Sequence, residues 1–188
     1  HSGNMPLLGG LAIYIGFTLS LLLFSPPKYI AQFAAVLAGA GFIAAIGAID
    51  DRYNLNIRTR FIAAAVAGAV VVASGISFQF TGLWFIDAPL SIFWIMALTN
   101  AVNFQDNMDG LSAGSSAISA LFFLLIALSQ GLILVSLLAA AVLGSAVGFL
   151  VYNFAPASTF MGDMGALMLG FVLAVIGIKV EMISPPLS

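Results

Sequence analysis

The chain carries six aspartates and one glutamate in 188 residues, and Asp50, Asp51, Asp106, Asp109 and Asp163 all stand at the ends of long apolar runs. Asp50 and Asp51 are adjacent at the close of such a run, where neighbours on a helix point ~100° apart. One can face a cleft and the other a loop. Their mutual repulsion asks for a nearby cation, either Arg52 or a metal ion. The second cluster is Asn100-Ala101-Val102-Asn103-Phe104-Gln105-Asp106-Asn107-Met108-Asp109-Gly110-Leu111. Spacings of three and four put Asn100, Asn103, Asp106 or Asn107, and Gly110 on one helical stripe. Amides and carboxylates so stacked can read a base edge, hold sugar hydroxyls or coordinate a metal. An EF-hand loop fits poorly, because Gly110 at its sixth position puts Gln105 first and Ser116 twelfth, where acids are needed. The third cluster runs Tyr152-Asn153-Phe154-Ala155-Pro156 and then Phe160-Met161-Gly162-Asp163. Asp163 opens a helix there, and a simple cap on the helix dipole is the bland reading. Taken together, carboxylates gathered at one membrane face suit Mg²⁺, a hard cation that takes oxygen ligands and grips phosphates. Phosphoryl transfer needs such an ion and a group that orients the nucleophile. A site at a membrane face points to a lipid as one substrate.

The elements that must position these groups are membrane spans. The chain is 62% hydrophobic and 6% charged, against roughly 45–50% and 25% for a soluble domain, with a mean hydropathy of +1.17. The fold class is all-α, a polytopic transmembrane helix bundle of about seven spans, read as one transmembrane domain over residues 1–188. The spans are about Leu7–Phe24, Ile30–Ile49, Phe61–Gly75, Leu90–Phe104, Ser112–Ser129, Leu132–Tyr152 and Met164–Ile178. Between the third and fourth, Ser77–Trp84 alternates apolar and polar residues around Gly82. That pattern reads as a short extracytoplasmic β-hairpin or as an extended interfacial loop with aromatic anchors. Asp87, beside Pro89, reads as a turn acid. No cysteine is present, so disulfides are excluded. No basic patch for nucleic acid is present.

Arg52, Arg58 and Arg60 share the loop after the second span, while Lys28 and Lys179 fall at the other side by parity. The arginine side is therefore expected to be cytoplasmic, and every acid except Asp87 and Glu181 lies on it. An aspartate at mid-bilayer costs about 2.5–3.5 kcal/mol on insertion scales. Few acids gathered on one side thus form a site rather than a scatter.

These residues resemble the polyprenyl-phosphate N-acetylhexosamine-1-phosphate transferases, also called glycosyl transferase family 4. The likeness covers essentially the whole chain. It rests on Pro6-Leu7-Leu8-Gly9-Gly10, Gly47-Ala48-Ile49-Asp50-Asp51-Arg52, Asn100 through Gly114, and Asn153-Phe154-Ala155-Pro156 followed by Phe160-Met161-Gly162-Asp163. Any one is weak, and four in this order are highly specific. The resemblance implies a Mg²⁺-dependent enzyme, with Mn²⁺ as a substitute, in the bacterial inner membrane with its site facing the cytoplasm. It implies transfer of a sugar 1-phosphate from a UDP-sugar to undecaprenyl phosphate with release of UMP, the first membrane step of envelope polysaccharide synthesis. It gives Asp50 and Asp51 as catalytic, Asp163 and Asp50 as metal ligands, and Asn103, Asp106, Asp109 and Asn153 as substrate-binding. Asn107-Met108 leans towards the GlcNAc-1-phosphate branch. A homodimer is among the options for the assembly.

The chain also departs from the family pattern. Family members have more spans than the seven read here. A first helix before His1, a late histidine-bearing loop and a basic residue before Gly9-Gly10 are missing, and Ala166 stands where the family has Ser. The reading is therefore a fragment of a longer member, with weak or no turnover alone. The alternatives are a non-catalytic membrane scaffold or pseudoenzyme and an ion-coupled transporter. A transporter should place acids near mid-membrane in repeated halves, and no internal repeat is seen.

Overall fold

A computed structural model describes residues 8–181. His1, Pro6, Leu7 and the side chain of Glu181, all used above, lie outside the described residues. Seven α-helices follow in order: α1 Gly9–Phe24, α2 Ile30–Tyr53 (led by a 3₁₀ turn, Pro27–Tyr29), α3 Ile57–Ala73, α4 Trp84–Gln105, α5 Leu111–Ser129, α6 Ile133–Asn153 and α7 Gly162–Glu181. Five of them are long and apolar enough to cross a bilayer, the exceptions being α1 and α3, of 16 and 17 residues. The protein is a polytopic helical membrane bundle, and no strand occurs among the described residues. Helices suit this composition because they bond their own backbone where no water can.

The bundle is built around α7. Of its most apolar 18-residue window 78% is buried, against 33–44% for the other four long spans. It packs on α1, α2, α4, α5 and α6. Gly47 of α2 touches the first turn of α7 so closely that a β-carbon there would overlap the backbone of Asp163 and Met164.

Among the boundaries that differ from the sequence reading, two helix starts matter most. Helix α3 begins at Ile57 because Asn56 caps it, its Oδ1 accepting from Thr59 N at 2.9 Å. That draws Arg58 and Arg60 out of the loop and onto the first turn. Helix α4 begins at Trp84 and carries Pro89 inside it.

The hairpin near 77–84 is not formed. Phe78 N donates to Ser91 Oγ at 2.8 Å, and Thr81 N and Oγ1 donate to Asp87 Oδ1 at 3.2 and 3.0 Å. Side chains of α4 take donors that a strand ladder would need. The alternation serves ring packing instead: Phe78 stacks on Phe80 at 4.7 Å and meets Trp94 edge-on at 5.9 Å. Asp87 is accordingly buried, not a solvated turn acid.

Candidate active site

One end of the bundle gathers the C-termini of α2, α4 and α6 with the N-termini of α3, α5 and α7. Asp50 is 2% exposed. Asn54, in the left-handed conformation, closes α2, and the chain folds back so that Leu55 N donates to Asp50 Oδ1 at 2.7 Å. Asp50 Oδ2 lies 3.0 Å from Arg60 Nε, a charge contact not aligned as a hydrogen bond. The guanidinium continues inward. Arg60 Nη1 donates to Asn103 Oδ1 at 3.0 Å and lies 3.7 Å from Asp163 Oδ2. Asn103 Nδ2 in turn donates to Asp163 Oδ1. Arg60 of α3 thus ties α2, α4 and α7 together.

Asp51 is turned to a different task. Its Oδ1 accepts from Asp163 N at 2.7 Å and its Oδ2 from Met164 N at 3.2 Å. It caps α7 from another helix, which frees the Asp163 carboxylate for Asn103 and Arg60. Gly162 permits this. Its φ is +66°, and a β-carbon there would come within 2.7 Å of Asp51 Oδ2.

Asp106 ends α4 beside this network, and its side chain has no hydrogen-bond partner among the described residues. Burial, then the carboxylates of Asp163 and Asp51, push its carboxyl up to about 6. Four carboxylates thus gather at this end around one partly exposed guanidinium, which touches those of Asp50 and Asp163. Asp109 and Asn153 sit slightly apart and act as clamps. Asp109 Oδ2 accepts from Ala157 N at 3.0 Å, while Asn153 accepts from Gly110 N and donates to Thr159 O, both at 2.9 Å. With Asp106, Asn107 and Phe160 they line a polar cleft of about 110 Å³. Asn100 is drawn away: it bonds the carbonyl of Met96 and is buried.

The structure thus brings Asp50, Asp51, Asn103 and Asp163 into one network of hydrogen bonds and ion pairs, with Asp106 beside it and Asp109 and Asn153 in the adjoining cleft. The cation beside Asp50 is Arg60. Arg52 is exposed and lies over the ring of Tyr53 at 5.7 Å. The sequence reading missed Arg60, although Asn56-Ile57-Arg58-Thr59 is a helix-start signal. On a first turn Arg58 and Arg60 point ~200° apart, so one had to face inward.

The donor set fits a hard divalent cation. It is built of carboxylate and amide oxygens, it carries excess negative charge, and Asp106 is unpartnered. Among the described residues no three acids or histidines enclose an ion by themselves. Beside the site, between α4 and α5, lies an apolar groove of about 850 Å³. Trp94, Leu98, Phe104, Phe122 and Ile126 line it. Gln105 and Ser115, bonded to each other at 2.8 Å, also line it.

A helical membrane bundle with acids and amides converging at one end defines the class. The sequence pattern of glycosyl transferase family 4 matches residues 33–181, and the chain belongs to that family. It is 35% identical over 187 residues to a probable undecaprenyl-phosphate N-acetylglucosaminyl 1-phosphate transferase of Bacillus subtilis, covering 95% of this chain and 52% of the relative. It is 34% identical over 199 residues to the decaprenyl-phosphate N-acetylglucosaminephosphotransferase of Mycolicibacterium smegmatis, covering 92% and 49%. It is 40% identical over 134 residues to the phospho-N-acetylmuramoyl-pentapeptide-transferase of Desulforudis audaxviator, covering 71% and 39%. The chain spans about half the length of the first two relatives and less of the third.

Proposed function

We propose that this chain carries the acidic site of a transferase that moves a sugar 1-phosphate, GlcNAc-1-phosphate foremost, from a UDP-sugar to undecaprenyl phosphate. In that reaction a lipid phosphate oxygen forms a bond to the β-phosphorus of the UDP-sugar. The bond from that phosphorus to the bridging oxygen breaks, and UMP leaves. The observation that carries the reading is the convergence of Asp50, Asp51, Asp163, Asn103 and Arg60 at one membrane face, beside an apolar groove of about 850 Å³. The groove suits a prenyl chain, and the polar end suits a pyrophosphate. Asp163 and Asp50, with Asp106 in reach of the same charge field, would hold Mg²⁺. When bound, that ion neutralises phosphate charge as the leaving group departs.

The chain's own residues supply the rest. Asp51 holds the start of α7 in place, so that Asp163 presents its carboxylate to the site. Arg60 fixes Asn103 and Asp50 and offers a cation to a phosphate. Asp109 and Asn153 hold the Gly110 turn and the 154–160 segment around a cleft for the nucleotide. Arg52, Arg58 and Arg60 at this end favour a cytoplasmic orientation in the bacterial plasma membrane. The carboxylates lie at helix ends rather than mid-span, which speaks against an ion-coupled transporter.

The test is UMP release by membrane-embedded protein supplied with undecaprenyl phosphate and UDP-GlcNAc, with and without Mg²⁺. It is run on this chain and on the longest reading frame that contains it. Release that needs the lipid phosphate and Mg²⁺ is expected. Asp50→Asn, Asp51→Asn and Asp163→Asn should each lower it by at least about 10²-fold, the scale of losing one preorganised electrostatic group. No release with either UDP-GlcNAc or UDP-MurNAc-pentapeptide, where a known family member works, would leave the scaffold reading standing.

A further inference from the structure

The far end of α7 holds a second charged feature, which the transferase reading does not use. Lys179 is 7% exposed, and no anion or hydrogen-bond partner reaches it among the described residues. An unpaired ammonium in an apolar bundle is unfavourable unless water or an anion reaches it. Lys179 lines a cavity of about 180 Å³ with Tyr29, Gln32, Gly131, Leu134 and Val135. No carboxylate among the described residues lines it.

The same cavity receives the N-terminus of α6, a helix of 21 residues. Its N-cap residue, Leu132, makes no side-chain cap. Ile133 N is taken by Gly131 O at 3.1 Å, and Ser136 N by Leu132 O at 2.9 Å. The amides of Leu134 and Val135 have no acceptor among the described residues. Free amides and the positive end of the helix dipole form an anion-binding arrangement. Here Lys179, Gln32 and Tyr29 line the same cavity. Asp163 and Lys179 are 16 residues apart on one helix, ~24 Å at 1.5 Å per residue, so this cavity belongs to the membrane face opposite the carboxylates. Its rim carries the exposed, apolar Ile133.

We propose that this cavity binds a phosphate group, carried by a membrane lipid or free in solution. The Lys179 ammonium supplies the counter-charge, and the amides of Leu134 and Val135 supply directed hydrogen bonds. The inference is independent of the reaction at the other end.

Thermal unfolding of the full chain in phosphate-free maltoside detergent tests it. The probes are phosphatidylglycerol, a phosphate-free diglucosyl diacylglycerol, and inorganic phosphate. Phosphatidylglycerol at a hundredfold excess over its Kd should raise the Tm by about 5–10 °C, and Lys179→Met should abolish that rise. Without lipid, Lys179→Met should be at least as stable as the parent, because it removes an unpaired charge from an apolar bundle. A rise with phosphatidylglycerol alone assigns the site to a lipid headgroup, and a rise with inorganic phosphate as well assigns it to the free ion. An equal rise with the glycolipid, or an undiminished rise in Lys179→Met, overturns the proposal. Should Lys179→Met fail to fold, Gln32→Leu gives the same reading: a weakened response supports the site, and an unchanged one overturns it.

Discussion

Arg60 is the residue on which the candidate site turns. It places a guanidinium between the carboxylates of α2 and α7 and orients the Asn103 amide. Removing it strands Asp50, which is 2% exposed, as an uncompensated buried charge, a loss of about 3–5 kcal/mol. Arg60→Gln should therefore lower the Tm sharply. Adding Asp50→Asn to it should recover part of the loss, a coupling that a double-mutant cycle on purified protein reads directly. If Arg60→Gln and Asp50→Asn prove additive, the pair is not the contact described. Asp106 gives a second prediction. Its carboxyl is raised from 3.8 to about 6 by burial, then by Asp163 and Asp51. Between pH ~4 and ~6 the folded chain therefore binds more protons than the unfolded one. Metal-free protein should lose stability as pH rises through that window, with the loss complete above it. Asp106→Asn should flatten that slope in a Tm-against-pH series run with chelator. The sequence alone marked Asp50, Asp51, Asn103, Asp106 and Asp163, because polar residues in so apolar a chain stand out. It did not mark Arg60. A cation in a loop and a cation on a first helical turn look alike until the cap at Asn56 is read.

At the scale of elements, the start of α7 is the most constrained segment of the site. Its first amides are held by Asp51 of α2, and Gly162 gives the turn both its left-handed conformation and the room for that carboxylate. Gly162→Ala should cost at least about 1–3 kcal/mol from backbone strain alone. It should also displace Asp163, so that activity falls further than Tm; equal retention of both would contradict the arrangement. Asn56→Ala removes the α3 cap, worth about 1 kcal/mol, and should loosen Arg60. The helices themselves were legible as apolar runs. Their starts were less so, because Arg58 and Arg60 in α3 and Pro89 in α4 look like loop residues to any reading of hydropathy. The stretch 77–84 misled for a physical reason. Period-two aromatics stack on one another whether or not a partner strand exists, and here Ser91 and Asp87 hold the backbone instead.

At the scale of the whole molecule, counting spans placed the acids together at one end, and the structure agrees. What counting could not supply is which helix lies inside. These helices are apolar on nearly every side, so sequence periodicity carries no pointer to a core. Orientation can be tested without background, since the chain has no cysteine. Single cysteines at Arg58 or Asn107 should react with an impermeant maleimide from the cytoplasmic face, and those at Lys28 or Gln130 from the other face. The opposite pattern would invert the proposed topology. The central position of α7 has a consequence for biosynthesis. Among the described helices it is the last to be made, yet it is the one the others enclose. Until it leaves the insertion machinery, α1, α2, α4, α5 and α6 lack the partner they pack against, and their inward faces have only lipid or each other. Assembly of the described helices therefore waits on α7. Nascent chains stopped after Asn153 should insert and yet stay protease-sensitive, and resistance should appear in one step once α7 is released.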